Sequence, residues 1–311
     1  MLENIFAHLV YKKVFSNKAT MHPLNKGESG ATLYTAEDNS KWYIVKHMEN
    51  ETPNSDFFKK EYPFYKICNN FNLDFLPEVI YAEENKELGV IIVLKHYNAI
   101  TPSEWTMQRQ MQAVDVIAKI HSMSSLFINA LDINAEPPKT TDAIKLKKSY
   151  ENWINILNKF EDMFDMKILN DIYQNFDFDY FKNLNKKYFC HGDFHCENIL
   201  TDESGKMILV DWQSYALGDK SEIAFFISRG YDFGIDMQEE AIKKYYCERL
   251  SFYTKSDVPI LELEIECNAS TVLVTFEHWA DYLQDANADR VKPIFEKMAT
   301  AFQWLASKEL F

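Results

Sequence analysis

Cysteine is scarce: Cys68, Cys190, Cys196, Cys247 and Cys267 are the only five in 311 residues, and none belongs to a C-x-x-C pair. Their odd number and wide spacing fit a reduced, cytoplasmic chain better than a disulfide framework. Basic side chains are also in deficit, with 33 Lys and Arg against 47 Asp and Glu and a net charge of −14. A general phosphate-backbone binder needs a Lys/Arg-rich surface, so nucleic acid is not expected as a partner. A nucleotide remains open, because a few local cations and a metal suffice for a triphosphate. No run approaches the roughly 18 apolar residues of a membrane span. The start "MLENIFAHLVYKKVF" has no basic segment ahead of a long apolar core and does not read as a secretory signal. Internal repeats and low-complexity tails are missing too, and nothing indicates an oligomeric state.

What is present divides in two. From Met21, "MHPLNKGESGATLYTAEDNSKWYIVKHM" alternates apolar and polar residues around turn clusters at Asn25–Gly30 and Glu37–Ser40, the pattern of three strands. "DFFKKEYPFYKIC" has near-helical spacing, with Pro63 expected to kink it or mark a boundary. "LPEVIYAEENKELGVIIVLKHY" reads as a hairpin with a buried second arm. Beyond it the pattern turns helical. Thr101 or Ser103 can cap "EWTMQRQMQAVDVIAKIHSM", whose Trp105, Met111, Val114, Ile117 and Ile120 or His121 form a stripe. Residues 125–142 read as a loop and 143–184 as amphipathic helices; two short strands follow, and helices fill most of the remainder. The expected class is α+β: a small antiparallel-sheet lobe over 1–97 and a larger, mainly helical lobe over 98–311.

Chemistry concentrates in "HGDFHCENIL" and the "MILVDWQ" that follows it. His191, Asp193 and His195 alternate, so on a strand they could share one face and hold a metal. No further histidine-rich segment completes that shell. A turn whose polar residues merely satisfy backbone groups explains one or two of them, but not the second acid, Asp211. Phosphoryl transfer accounts for the whole set. One carboxylate orients the acceptor hydroxyl while an amide and a second carboxylate hold Mg²⁺ against the phosphates, with base and amide spaced D-x-x-x-x-N. Asp193 and Asn198 have that spacing, and a strand-turn-strand returns Asp211 close to Asn198. Hard oxygen ligands of this kind suit Mg²⁺.

The chain resembles the aminoglycoside phosphotransferase/choline kinase family, small-molecule relatives of the protein kinases. "HGDFHCENIL" is similar to the family's H-G-D-x-H-x-x-N loop, "ILVDWQ" to its apolar-apolar-Asp-[FW]-[DEQ] motif, "LGDKSEIAFFI" to its G-D-…-D-L-A segment and "IAKIHSM" to its L-A-x-L-H helix end. The resemblance extends over residues 20–311 and implies a two-lobed, protein-kinase-like fold. It implies Asp193 as catalytic base or hydroxyl-orienting group, and Asn198 and Asp211 as Mg²⁺ ligands. His191 would brace the loop; His195 would stabilise it or approach the acceptor. It implies Lys46 as the ligand of the α- and β-phosphates, paired with Glu61 rather than Glu51. Gly27, Ser29 and Gly30 would lie in a phosphate-covering loop, and the backbone around Lys95–Tyr97, in a hinge near 95–98, would bind adenine. Gln213 departs from the acid frequent in choline kinases, and Glu222 stands where the family has the Asp of D-L-A.

The implied function is ATP- and Mg²⁺-dependent phosphorylation of a small-molecule hydroxyl, on an aminoglycoside-like or choline- or ethanolamine-like amine. A protein or sugar acceptor and a non-catalytic nucleotide-binding pseudokinase are the alternatives. The acceptor is expected against the C-terminal helices. There "TFEHWADYLQDAN" offers Glu277, Trp279, Asp281 and Tyr282, with the two acids four residues apart on one face. An acidic solvated face with buried aromatics explains these residues equally well.

Overall fold

The structure, a computed structural model, describes residues 1–24, 31–50, 55–134, 137–160 and 163–310. Its elements begin with helix α1 (Leu2–Tyr11) and strands β1 (Thr20–Pro23), β2 (Thr32–Asp38) and β3 (Lys41–Met48). Helix α2 (Ser55–Cys68) and strands β4 (Val79–Asn85) and β5 (Gly89–Lys95) follow. The alternation of apolar residues becomes a five-stranded antiparallel sheet of order β1-β2-β3-β5-β4. Asn39 and Ser40 make the β2–β3 turn with φ of 51° and 62°, the left-handed pair that matches strand twist in a tight hairpin. Ile5 and Leu9 of α1 pack with Phe15, Tyr34, Val45, Ile91 and Val93 into the core on one side of the sheet.

Helix α2 runs through Pro63, which therefore deletes one rung of its ladder instead of ending it. Thr101 caps only the one-turn helix Pro102–Glu104, in a reciprocal capping box with Glu104. The longer helix α3 (Met107–Ser122) starts from Thr106, whose side chain accepts from the Arg109 amide. Its expected stripe is buried at Val114, Ile117, Ile120 and His121. The loop expected at 125–142 instead opens as helix α4 (Ser124–Ala130), held down by Phe127, which is fully buried and stacks on Phe189 at 4.4 Å. Neither polarity nor Pro content signalled that one apolar anchor.

Met1–Ile133, Phe189–Ala216 and Phe225–Ile242 make one compact unit, and Asn134–Tyr188, Leu217–Ala224 and Lys243–Phe311 a second. Within the first, Asn98–Ala99 pairs with Ile199–Thr201, which pairs in turn with Met207–Leu209. Compactness thus groups the "HGDFHCENIL" hairpin with the N-terminal sheet, across the lobe boundary expected at 97/98. In the second unit, helices Ala143–Leu157, Met166–Asn175, Phe178–Asn183 and Ala288–Ala306 begin at side-chain caps from Asp142, Asp165, Asp177 and Asn287. With helix Ile260–Val274 they enclose a core around Trp153, Phe276 and Phe295. Among the described residues, no helix is long and apolar enough to cross a membrane.

Glu83 of β4 ties α1 to the sheet: its carboxylate accepts from His8 at 2.6 Å, Lys12 at 2.9 Å and Tyr81 at 2.6 Å. Partial burial pushes its pKa up, but these donors outweigh it and bring it from 4.5 down to about 2. A carboxyl depressed on folding stabilises the fold above its unfolded pKa, and that contribution is lost as pH falls toward the folded value. Melting curves between pH 5 and pH 2 should therefore show a loss of stability that Glu83→Gln abolishes; identical acid limbs for both proteins would count against the tether.

Candidate active site

The site begins with a lysine in an apolar strand. Lys46 lies in β3 between Leu33 and Ile92 on the neighbouring strands, where an ammonium loses its water. It is 9% exposed and meets both oxygens of the fully buried Glu61 at 2.8 Å. Its Nζ also donates to Asp211 Oδ1 at 2.7 Å. Burial acts against the charge, but Glu61 and Asp211 outweigh it and raise the Lys46 pKa above its ordinary range. Lys46 therefore stays charged, held between two carboxylates 150 residues apart in sequence.

Asp211 reaches Lys46 through an unusual backbone. Its φ of 68° and ψ of 57° are left-handed, a region Asp tolerates better than most side chains. The next residue, Trp212, is fully buried and stacks on Phe64 of α2 at 4.2 Å, while its Nε1 donates to Leu209 O. Glu61 and Phe64 are one helical turn apart, so α2 is joined to the Asp211 turn twice, by an ion pair and by a ring stack. Gln213 Nε2 donates to Asp211 Oδ2 at 3.3 Å. Gln213 Oε1 is buried and meets no donor among the described residues.

Strand Tyr188–Cys190 delivers the loop that carries the remaining groups. His191 is fully buried; its Nε2 donates to Val210 O at 2.9 Å and its Nδ1 accepts from the Asp193 amide at 3.2 Å. Bracing is what this geometry provides. Gly192 has φ +84°, and a Cβ there would lie 2.1 Å from Ser214 O, so only glycine lets the loop pass the Asp211 turn. Asn198 Nδ2 donates to Asp193 O at 2.9 Å and to Asp193 Oδ2 at 3.0 Å. His195 Nε2 lies 3.4 Å from the same Oδ2. Burial pushes the Asp193 carboxyl up, but the His195 hydrogen bond, both imidazoles and Asn198 outweigh it and hold it below its ordinary range. An ionised Asp193 of low basicity is suited to orienting a hydroxyl. Asn198 and Asp211 carry hard oxygens of the kind a divalent cation takes.

The phosphotransferase enzyme family model matches residues 20–222, about two thirds of the chain. The chain belongs to this phosphotransferase enzyme family. Solved structures of the same kinase-like fold include a choline kinase from Cryptosporidium parvum Iowa II, with a TM-score of 0.59 and 12% identity over 100% of this chain and 98% of that one. A Plasmodium vivax ethanolamine kinase gives 0.55 at 13% identity, covering 97% and 89%. A spectinomycin phosphotransferase in complex with ADP and spectinomycin gives 0.56 at 17%, covering 95% and 93%. At these identities the likeness is one of fold. No curated protein sequence matches the chain.

The other residues anticipated for this phosphotransferase are distributed as follows. Gly27, Ser29, Gly30 and Glu51 lie outside the described residues. In the expected hinge, the Lys95 amide donates to Glu78 O and the His96 amide to Trp42 O. Tyr97 Oη accepts from the Glu78 amide at 2.9 Å. Glu222 opens helix Glu222–Asp232 and is buried. Glu277 and Asp281 do not share one solvated face. A π-turn over Thr275–Trp279 adds a residue per turn, leaving Glu277 8% exposed and Asp281 on the surface. Glu277 pairs with Lys182 at 2.5 Å, and Asp281 accepts from Asn152. Trp279 packs against the helical core, and Tyr282 is exposed. The motif reading missed the Phe64–Trp212 stack and the Gly192 close approach; an apolar residue one helical turn beyond Glu61 was the available signal for the first.

Lys46→Ala should strand a fully buried carboxylate and cost about 3–5 kcal/mol in denaturant unfolding, besides weakening nucleotide binding. Glu61→Gln should give a milder form of the same defect. In the double-mutant cycle the two losses should overlap; strictly additive losses would show that the residues act independently.

Proposed function

We propose that this chain is an ATP- and Mg²⁺-dependent kinase that transfers the γ-phosphoryl group to a hydroxyl of a small molecule. The observation that carries the reading is the convergence, within one compact unit, of Lys46–Glu61, Asp211, Asn198 and Asp193. Lys46 would hold the α- and β-phosphates, with Glu61 fixing its position. Asn198 and Asp211 would hold Mg²⁺, which neutralises phosphate charge when bound. Asp193 would align the attacking hydroxyl and take its proton as the bond to phosphorus forms. Such catalysis is positioning and charge stabilisation, without a covalent enzyme intermediate. An intact set of these groups argues against a pseudokinase.

A hydroxylated amine is the acceptor this reading favours, though on different acids from those of the C-terminal helices. Glu277 is neutralised by Lys182. Beside the Asp193 loop, Glu197 and Asp232 keep more than half of their side-chain surface exposed, and Arg229 lies 3.6 Å from each, one cation against two acids. Phe225, 40% exposed, adds a ring face on the same helix as Arg229 and Asp232. Acids with an exposed ring suit an ammonium group.

Purified protein should phosphorylate members of a panel of aminoglycosides, choline, ethanolamine and sugars with MgATP, amines ahead of neutral sugars. Asp193→Asn should lower that turnover at least ~10²-fold with MgATP affinity preserved, whereas Asp211→Ala should lose Mg²⁺-dependent nucleotide affinity as well. Wild-type turnover in Asp193→Asn would refute the assignment. Glu197→Gln should raise KM for an amine acceptor and leave KM for ATP unchanged; a preference for anionic acceptors would refute the amine class.

A further inference from the structure

We infer that Tyr65 is a positioning residue for the nucleotide: its buried hydroxyl takes over the Glu61 carboxylate when phosphates draw Lys46 away. The inference rests on the reading of Lys46 as the ligand of the α- and β-phosphates, and it is carried by one buried hydroxyl that no described residue pairs with. Tyr65 stands four residues beyond Glu61 on α2, about one helical turn on and on the same face. It is 1% exposed. Its ring meets Phe64 edge-on at 5.6 Å, a contact that a phenylalanine ring would make equally well. Its Oη lies beside the Glu61 carboxylate and the Asp211 backbone, yet meets no partner at hydrogen-bonding geometry among the described residues. A buried hydroxyl left unpaired carries the whole cost of its lost hydration, and such groups are rare in folded proteins. A second state of the site, in which the hydroxyl is paired, accounts for its presence.

That state follows from a count of hydrogens. An ammonium has three, and three carboxylate oxygens take them from Lys46: Glu61 Oε1 and Oε2 at 2.8 Å each, and Asp211 Oδ1 at 2.7 Å. Contacts to two phosphates need two of these hydrogens. The one given to Asp211 supplies the first, and the second comes from Glu61. One Glu61 oxygen then loses its donor, and Glu61, 0% exposed, is out of reach of surface water. A tyrosine hydroxyl keeps its proton at neutral pH and donates well to a carboxylate. Because Oη already lies beside Glu61, a small turn of either side chain closes that bond. Glu61 is then held by one hydrogen from Lys46 and one from Tyr65, and it continues to aim Lys46 at the phosphates.

Tyr65→Phe removes the hydroxyl and keeps the ring, and its effects can be read without turnover. Without ligand the variant should melt no lower than wild type, because no hydrogen bond is lost. Its affinity for MgADP in titration calorimetry should fall about tenfold or more, as for loss of a hydrogen bond to a charged group. Its affinity for adenosine, which carries no phosphate, should stay unchanged. In the Glu61→Gln background, where the acceptor is a neutral amide, Tyr65→Phe should weaken MgADP binding less than it does in wild type. A lower melting temperature of unliganded Tyr65→Phe would show that the hydroxyl is already bonded before the nucleotide arrives, and would overturn the inference. Unchanged MgADP affinity would overturn it as well. So would equal losses for MgADP and adenosine, which would mark a packing role, and so would strictly additive losses with Glu61→Gln. Unchanged MgADP affinity in Lys46→Ala would instead remove the underlying reading, whatever Tyr65 does.

Discussion

Everything in the candidate site depends on one buried ammonium. Taking a lysine out of water costs several kcal/mol unless anions replace the lost hydration. Lys46 recovers that cost from two carboxylates, Glu61 on α2 and Asp211 at the end of strand Met207–Leu209. The requirement ties sheet, helix and loop to a single point. It also leaves the cluster with one more negative than positive charge, which suits the divalent cation proposed for the site. The Phe64–Trp212 stack makes the same connection without charge, so the register of α2 against the Asp211 turn does not rest on the ion pair alone.

A division of labour follows within the loop. His191 is spent on backbone groups at both ring nitrogens. Asn198 spends its amide hydrogens on Asp193, which leaves its carbonyl oxygen for the metal-ligand role proposed for it. Asp193 is kept ionised and has one oxygen anchored. Rigid loops of this kind supply orientation in advance, which is where phosphoryl transfer gains most of its rate. Around them Glu197, Arg229 and Asp232 form a surface whose charges compensate only in part.

Much of this was legible in the residues. The three strands from Met21, the β4–β5 hairpin and the strand-turn-strand between Asn198 and Asp211 follow from apolar alternation and turn chemistry, which act over a few residues. Lys46 stood out because a charge inside "WYIVKHM" demands a partner, and the resemblance implied a glutamate on the following helix, Glu61. Helix α4 escaped the same reading, since Phe127 is anchored by Phe189, far away in sequence. The pairing of Glu277 and Asp281 failed because a π-turn, set by packing around Trp153 and Phe276, breaks the 3.6-residue period on which spacing arguments depend.

Local order was therefore decided by the sequence alone: element types, the D-x-x-x-x-N spacing, the charged residue in an apolar strand, and the family to which the motifs belong. The contacts between distant segments were decided only by the tertiary structure. It alone paired Lys46 with Asp211 as well as Glu61 and neutralised Glu277 with Lys182. The reason is physical: periodicity and turn chemistry are properties of neighbouring residues, whereas the protonation, partners and reach of a side chain depend on which remote groups replace its water.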